Sequence, residues 1–279
     1  MKEHAFRFGR ARHLIGVAGL PTSPSMTPSD NVGVIVLNAG LVHRIGPFRL
    51  NVELTRRLNA CGYPTLRFDL STLGDSGASA EFQSRPQQIC ADVADAMTLL
   101  GEQSGCKRFV LVGLCSGAEN AHTVACTEAR TAGAIFLDGY AYRTAGFMLR
   151  HYLPRLFRPS SWRGFLTRHV RNDVQPDDAP DFRHEYPDRS AIRADLAGML
   201  DRGLKLSFIY SGGVIMWFNH RRQFRECFGS VAPHPAVSLS FLEDTDHTYI
   251  LDRDRGQLLD IIEDWLQRNF PVVEASTSA

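Results

Sequence analysis

The segment from Phe109 to Ala118 reads Phe109-Val-Leu-Val-Gly113-Leu-Cys115-Ser-Gly117-Ala118. An apolar, β-branched run ends in a Gly-x-Cys-x-Gly pattern, and a helix pattern follows at once. A sharp strand-to-helix turn of this kind holds its central residue in a strained backbone conformation, and the flanking glycines prevent steric clashes. The spacing therefore predicts a nucleophile elbow with Cys115 at its apex. Ser116 is out of register, because Leu114 and Ala118 occupy its flanking positions.

The position of Cys115 also suits a reactive thiol. Unpaired backbone amides at the start of a helix carry partial positive charge, which favours the thiolate form of a cysteine placed there. The alternative interpretation is a packed cysteine before an ordinary strand-to-helix turn. The remaining five cysteines are most simply packing residues, since the sequence contains no C-x-x-C pair.

The sequence around this segment alternates strand and helix patterns. Such alternation predicts right-handed crossovers and a mostly parallel sheet with helices on both faces, which is an α/β fold. Two early strands precede a loop that begins at Pro21. The further predicted strands are 32–37, 63–68, 108–114, 134–137, 204–210 and 237–242, and the predicted helices are 47–60, 87–100, 118–130, 221–228 and 256–269.

We predict a single domain over residues 1–279, with a lid-like insertion at 140–201 and a flexible tail at 274–279. The insertion interrupts the alternation and has an unusual composition. Residues 141–172 contain seven arginines and no Asp, Glu or Lys, and an acidic stretch follows at 173–188. The arginines either pair with that acidic stretch or present positive charge to a substrate or a second copy of the chain, so a homodimer is compatible with the sequence.

Three segments together carry a family resemblance. They are the elbow, the turn Leu37-Asn38-Ala39-Gly40-Leu41 and the loop Arg67-Phe68-Asp69-Leu70-Ser71-Thr72-Leu73-Gly74-Asp75-Ser76. The chain resembles the α/β-hydrolase superfamily over nearly its whole length, particularly the serine-aminopeptidase-like members and the hydrolases associated with exosortase systems. The resemblance implies an eight-stranded, mostly parallel sheet with a lid inserted after the sixth strand.

The family order places the catalytic histidine in the loop after the last strand, where Asp246-His247-Thr248 resembles the family's histidine loop. His247 is therefore the predicted general base. The usual acid follows the seventh strand, but Val214 stands there. Asp138, at the end of the preceding strand, is the predicted replacement. Asn219 and a dyad without a third group stay open as alternatives, because a thiol depends less than a serine on an orienting residue.

These residues predict covalent acyl transfer through an acyl-thioester on Cys115. The backbone amides of Leu41 and Ser116 are the predicted oxyanion hole. Gly40, His43 and Arg44 are candidate substrate-binding residues. A small-molecule acyl substrate, carried as a thioester on CoA or on an acyl carrier protein, fits a thioesterase or acyltransferase. A carboxylesterase-like hydrolase of small esters and a non-catalytic binding protein that kept the fold are the alternatives.

Composition excludes several other classes. Of 279 residues, 44% are hydrophobic, so the chain can bury a real core, and 31 basic against 30 acidic residues leave a charge of +1. This balance gives no case for binding nucleic acid or a membrane surface. No run approaches a membrane span. We expect a cytoplasmic protein that uses no metal and no cofactor.

Overall fold

The computed structural model of the chain describes residues 2–21, 26–28, 31–80, 83–156 and 187–274. The predicted alternation of strands and helices is confirmed along this part of the chain. The strands are β1 (Lys2–Phe8), β2 (Leu14–Leu20), β3 (Met26–Pro28), β4 (Val32–Val36), β5 (Thr65–Asp69), β6 (Arg108–Leu114), β7 (Thr131–Leu137), β8 (Lys205–Ser211), β9 (Val237–Leu242) and β10 (Val272–Glu274). The helices are α1 (Leu50–Ala60), α2 (Arg85–Ser104), α3 (Ser116–Thr127), α4 (Ala145–Leu156), α5 (Arg189–Asp201), α6 (Arg221–Phe228) and α7 (Asp252–Asn269).

Eight strands form one twisted sheet in the order β1-β2-β5-β4-β6-β7-β8-β9. The first two strands are antiparallel to their neighbours, and the six strands from β5 to β9 run parallel. β3 and β10 pair separately with each other. The predicted eight-stranded, mostly parallel sheet is therefore confirmed.

Helices cover both faces of the sheet, because its central strands are apolar on both sides. Along β6, Phe109 and Leu111 pack with α2, α3 and α5 on one face, whereas Val110 and Val112 pack with α1 and α7 on the other. Each of these four side chains is at most 1% exposed. The sheet is thus the central layer of the fold, and the loops that follow its parallel strands emerge at their carboxyl ends.

The insertion follows β7, which is the sixth strand of the main sheet in chain order. Its two ends lie within the described residues as α4 and α5. Ile192, Leu196 and Met199 of α5 are buried in the same core as α3, so α5 is the crossover helix that returns the chain to β8. Residues 157–186, with most of the predicted basic and acidic stretches, lie outside the described residues, as does the tail at 275–279.

Four of the five predicted helices have different boundaries in the structure; the predicted helices 87–100 and 256–269 extend over Arg85–Ser104 and Asp252–Asn269. The predicted helix 47–60 begins with a 3-10 turn, Pro47–Arg49, and the α-helix starts only at Leu50. Phe48 and Arg49 both have positive φ there, which breaks the helical path. The predicted helix 118–130 runs from Ser116 to Thr127 instead.

Candidate active site

Cys115 lies at the junction of β6 and α3 with φ 57° and ψ −122°. This conformation is rare for a residue with a side chain and costs free energy that the surrounding packing must offset. The two glycines are required by close backbone contacts. A Cβ on Gly113 would lie 2.0 Å from the Gly117 carbonyl oxygen, and one on Gly117 would lie 2.5 Å from the Asn38 carbonyl oxygen. The predicted elbow geometry is therefore present, with the half-buried Cys115 side chain at its apex.

His247 comes from the loop after β9, and its imidazole interacts on one side with the Cys115 side chain. On the other side its Nδ1 atom lies 2.7 Å from Oδ2 of Asp138. Asp138 is fully buried, whereas 35% of the His247 side chain is exposed. The structure thus brings together the three residues that the sequence analysis selected, although they are separated by up to 132 positions in the chain.

Asp138 directly follows β7 and adopts φ 48°. Its Oδ1 accepts a hydrogen bond from the Ser211 backbone amide at 2.6 Å, and its Oδ2 accepts one from the Ser211 hydroxyl, also at 2.6 Å. Together with His247, these donors supply hydrogen bonds to both oxygens of a buried carboxylate, which would be costly to bury without partners. Ser211 was not predicted as a site residue. The signal was its place at the end of β8, the strand that pairs with β7.

The turn after β8, where a family acid would stand, has a different role here. A Cβ on Gly212 would lie 1.8 Å from the Glu243 carbonyl oxygen, and one on Gly213 would lie 2.2 Å from the His247 backbone nitrogen. Gly213 also donates from its amide to the Thr245 carbonyl at 3.0 Å. The Gly212–Gly213 turn therefore packs backbone to backbone against the loop that carries His247 and holds that loop in place.

Asn219, the alternative partner for His247, is engaged elsewhere. Its Nδ2 donates to the Phe147 carbonyl at 3.3 Å, and its Oδ1 accepts from Nε of Arg150 at 3.3 Å. In this structure the imidazole is therefore hydrogen-bonded to Asp138, and the alternative partner Asn219 bonds to Arg150 and Phe147 instead. Asp246 accepts hydrogen bonds from Thr248 and Ile250 within its own turn, so its role is to hold the histidine loop.

The hydrogen bond to Asp138 raises the pKa of His247 to about 10, and the interaction with Cys115 contributes in the same direction. Partial burial of the ring opposes this shift but does not reverse it. At neutral pH the imidazolium form is consequently favoured. The charged ring of His247 then interacts directly with the Cys115 side chain.

The turn that follows β4 lies beside the elbow. Gly40 has φ 55°, and its amide donates to the Ser116 hydroxyl at 2.7 Å, which links the turn to the first residue of α3. Leu41 is 87% exposed. The assignment of the Leu41 and Ser116 amides as the oxyanion hole stays a prediction.

His43 and Arg44 belong to a network of charges that holds this turn in place. Nη1 of Arg44 lies 2.5 Å from Oδ2 of the fully buried Asp69 and 2.8 Å from Oδ2 of Asp75. Nε2 of His43 lies 3.0 Å from the same Asp75 oxygen. Asp69 also accepts hydrogen bonds from the Asn38 side chain and the Arg44 amide. Both predicted binding residues are thus tied into the loop, and their contact with substrate stays a prediction.

Two groups in the described part of the chain have the residue types of a metal site. In the first, His43 with Asp69 and Asp75, the Arg44 guanidinium already lies against both carboxylates. The second is His122 with Cys126 and Asp195. There Cys126 faces Nδ1 of the ring at 3.9 Å and Asp195 faces Nε2 at 3.6 Å, so the two partners meet opposite nitrogens. Neither group includes Cys115.

Comparisons with known proteins agree with the observed fold. Residues 34–274 match the sequence profile of the alpha/beta hydrolase family. The chain therefore belongs to the α/β hydrolase family. A search of curated protein sequences finds no match. Among the described helices, none combines the length and the apolar character that a membrane crossing requires.

Solved structures share the architecture at low sequence identity. An α/β serine hydrolase without a lid from Xanthomonas campestris is 14% identical, with a TM-score of 0.57 over 97% of this chain and 95% of that one. The esterase domain of a Rhodothermus marinus protein is 18% identical, with a TM-score of 0.56 over 96% and 98%. An esterase of Pyrococcus furiosus is 16% identical, with a TM-score of 0.59 over 96% and 91%.

Proposed function

We propose that this α/β hydrolase is a cytoplasmic enzyme that cleaves or transfers acyl groups through an acyl-thioester on Cys115. His247 moves the proton, and Asp138 orients and charges the imidazole. The observation that supports the proposal most directly is the placement of His247 between the thiol at the strained elbow, with which it interacts, and the buried carboxylate, to which it is hydrogen-bonded. A thiol that only filled space would need neither the strained backbone nor the paired histidine.

In the proposed reaction, the sulfur of Cys115 attacks the carbonyl carbon of the acyl substrate, and a carbon–sulfur bond forms. The carbonyl oxygen gains negative charge next to the amides of Leu41 and Ser116. The leaving thiol or alcohol takes its proton from Nε2 of His247. Water or another acceptor then attacks the acyl-thioester and returns a proton to His247, which restores the free thiol.

Thioesters of CoA or of an acyl carrier protein are the favoured substrates, because an acyl-thioester intermediate is readily formed from another thioester. A carboxylesterase of small esters is the second candidate, and the solved esterases with this architecture favour it. Paired substrates with one acyl group separate the two. Butyryl-S-N-acetylcysteamine and p-nitrophenyl butyrate differ only in the leaving group, and a thioesterase should have the larger kcat/KM for the former.

Intact-mass spectrometry tests the nucleophile. After brief exposure to butyryl-CoA, we expect one butyryl adduct on the wild type and none on Cys115→Ala. Cys61→Ala is the matched control. Its thiol is half-buried like Cys115, but burial raises its pKa to about 11, so it should not compete for the acyl group.

Two outcomes would contradict the proposal. An adduct that persists in Cys115→Ala would assign acylation to another side chain. A folded wild-type protein that shows neither adduct nor turnover with thioesters and esters would favour the binding protein that kept the fold. Circular dichroism of each variant excludes unfolding as the cause.

A further inference from the structure

Arg143 and Trp217 form an exposed cation–π pair. The guanidinium carbon of Arg143 lies 4.4 Å from the centroid of the Trp217 ring and 5.9 Å from that of Phe147. Nε of Arg143 donates to the Met216 carbonyl at 2.9 Å. This hydrogen bond fixes the plane of the guanidinium and does not involve the two Nη atoms of Arg143. A guanidinium held in this way is prepared to bind a carboxylate or a phosphate with two parallel hydrogen bonds.

Buried residues beneath the pair hold both partners in place. The side chain of Gln223 is fully buried, and its Nε2 donates to the Tyr142 carbonyl at 3.0 Å and to the Trp217 carbonyl at 2.6 Å. Phe218, also fully buried, stacks on the Tyr210 ring at 3.9 Å between centroids. The segments that carry Arg143 and Trp217 are therefore joined through one amide, so the pair is a built feature of the fold rather than two loose surface side chains.

The charge of Arg143 is not neutralised within the described residues. No carboxylate of that part of the chain lies within 4.0 Å of its guanidinium. Arg150, on the same stretch of chain, differs in this respect, because its Nη1 lies 3.0 Å from Oε1 of Glu226 and its Nη2 3.2 Å from Oε2. Among the described residues, Arg150 is thus committed to an ion pair, whereas the exposed Arg143 has no acidic partner.

The pair lies at the edge of the sheet that carries the candidate active site. Arg143 follows Asp138 by five residues, and Trp217 follows Gly213 by four, with Gly213 packed directly against His247. Since a residue spans at most about 3.6 Å, neither partner can lie far from the site. The loops at this edge also expose large apolar side chains, namely Leu41, Val42, Ile215, Met216, Ile250 and Leu251. An apolar rim next to one fixed cation is suited to a ligand with an apolar part and an anionic part.

We propose that the Arg143 guanidinium, held on Trp217, binds an anionic group of the acyl substrate, while the apolar rim receives its hydrocarbon part. This inference rests on the proposed function and specifies its substrate class. The anion has two chemical sources. It is either the phosphate of a phosphopantetheine arm on the thiol side or a carboxylate at the far end of the acyl chain.

Three matched thioesters separate these sources. Butyryl-S-N-acetylcysteamine is neutral, butyryl-S-phosphopantetheine carries a phosphate on the thiol side, and succinyl-S-N-acetylcysteamine carries a carboxylate on the acyl side. For Arg143→Gln we expect kcat/KM to fall by about tenfold for one anionic thioester and by less than twofold for the neutral one. The anionic substrate that responds identifies the source. Arg225→Gln removes an exposed arginine of α6 and should change none of the three.

A substitution of the ring tests the geometry. Trp217→Leu keeps the positive charge but removes the platform, so it should lower kcat/KM selectively for the same anionic substrate. Arg143→Lys should recover only part of the loss, because an ammonium lacks the planar fork.

Equal losses of kcat/KM for all three thioesters in Arg143→Gln would overturn the proposal, as would no loss for any of them. The first result would mean that Arg143 supports the fold and does not contact the anionic group of the substrate. If the wild type turns over no thioester, the proposed function fails, and binding by the Cys115→Ala variant decides the inference separately. Calorimetry should then show phosphopantetheine or succinate bound about tenfold more weakly after Arg143→Gln, with pantetheine and butyramide unaffected.

Discussion

Asp138→Asn is the most direct test of how the imidazole is oriented. The carboxylate accepts from the Ser211 amide through Oδ1, and it accepts from the Ser211 hydroxyl and His247 Nδ1 through Oδ2. An asparagine must keep its oxygen toward the Ser211 amide, because a backbone N–H cannot reverse its role. Its NH2 group then faces His247, so the ring must accept at Nδ1 and carry its proton on Nε2, toward the thiol. The imidazolium loses its partner.

The size of the effect follows from the interaction that is lost. A hydrogen bond to a charged group contributes about 1.5–3 kcal/mol, and about 1.4 kcal/mol corresponds to a tenfold change in rate. We therefore expect kcat/KM to fall about ten- to a hundredfold. The loss of about 10⁴-fold known for serine triads is not expected, because a thiol ionises more easily than a hydroxyl and needs less help from the base.

The assay is hydrolysis of p-nitrophenyl butyrate and of butyryl-S-N-acetylcysteamine between pH 5 and 10, with unfolding in urea measured in parallel. Asp244→Asn is the control, since Asp244 is an exposed acid in the same loop as His247 and should change the rate by less than twofold. An unchanged rate in Asp138→Asn would refute the orienting role and leave a Cys–His dyad. Equal losses in both variants would show a general charge effect instead.

Three further predictions rest on single measurements. Because the folded-state pKa of His247 is raised from 6.5 to about 10, its contribution to stability is complete below about pH 6.5 and is lost as the pH rises toward 10. In urea titrations, the difference in unfolding free energy between the wild type and His247→Gln should therefore shrink across that pH window. Gly213→Ala introduces a Cβ 2.2 Å from the His247 backbone nitrogen, so the unfolding free energy should fall by about 1–3 kcal/mol and the rate of ester hydrolysis should fall with it. Gly256→Ala is the control: it lies in open space on α7 and should lower neither the unfolding free energy nor the rate. Asp69→Ala leaves the Arg44 guanidinium without its buried partner and should lower the unfolding free energy by about 3–5 kcal/mol. Asp75→Ala, at a carboxylate that is 59% exposed, should lower it by less than about 1 kcal/mol in the same assay. Similar losses of unfolding free energy for the two variants would contradict the importance of burial.

The elements were predictable because their signals are local. The apolar run of β6 and the two glycines around Cys115 lie within ten residues, and each is required by sterics at that place. The helix starts were less predictable, as at Phe48 and Arg49, where two residues with positive φ interrupt the expected helix. Sequence patterns indicate the hydrophobic periodicity of an element more reliably than the exact residue at which it begins or ends.

The network around the turn after β4 could not be predicted in full. By their place after the predicted oxyanion turn, His43 and Arg44 are candidate substrate-binding residues, although a helix-entry loop explains them equally well. Their partners Asp69 and Asp75 come from the loop after the neighbouring strand β5, and only the packed sheet brings those carboxylates to the guanidinium. The pair of Arg143 and Trp217 has the same origin, since 74 positions separate the two residues.

The sequence alone determined the fold, the residue at the apex of the elbow and the position of His247, because strand period, glycine spacing and chain order are properties of short segments. It left three choices for the partner of His247. The tertiary structure selects Asp138 geometrically, because the parallel register of β7 and β8 places this carboxylate beside Ser211 and opposite a loop 109 residues further along the chain. Hydrogen-bond distance between such remote segments depends on how the sheet is assembled, and no local pattern records it.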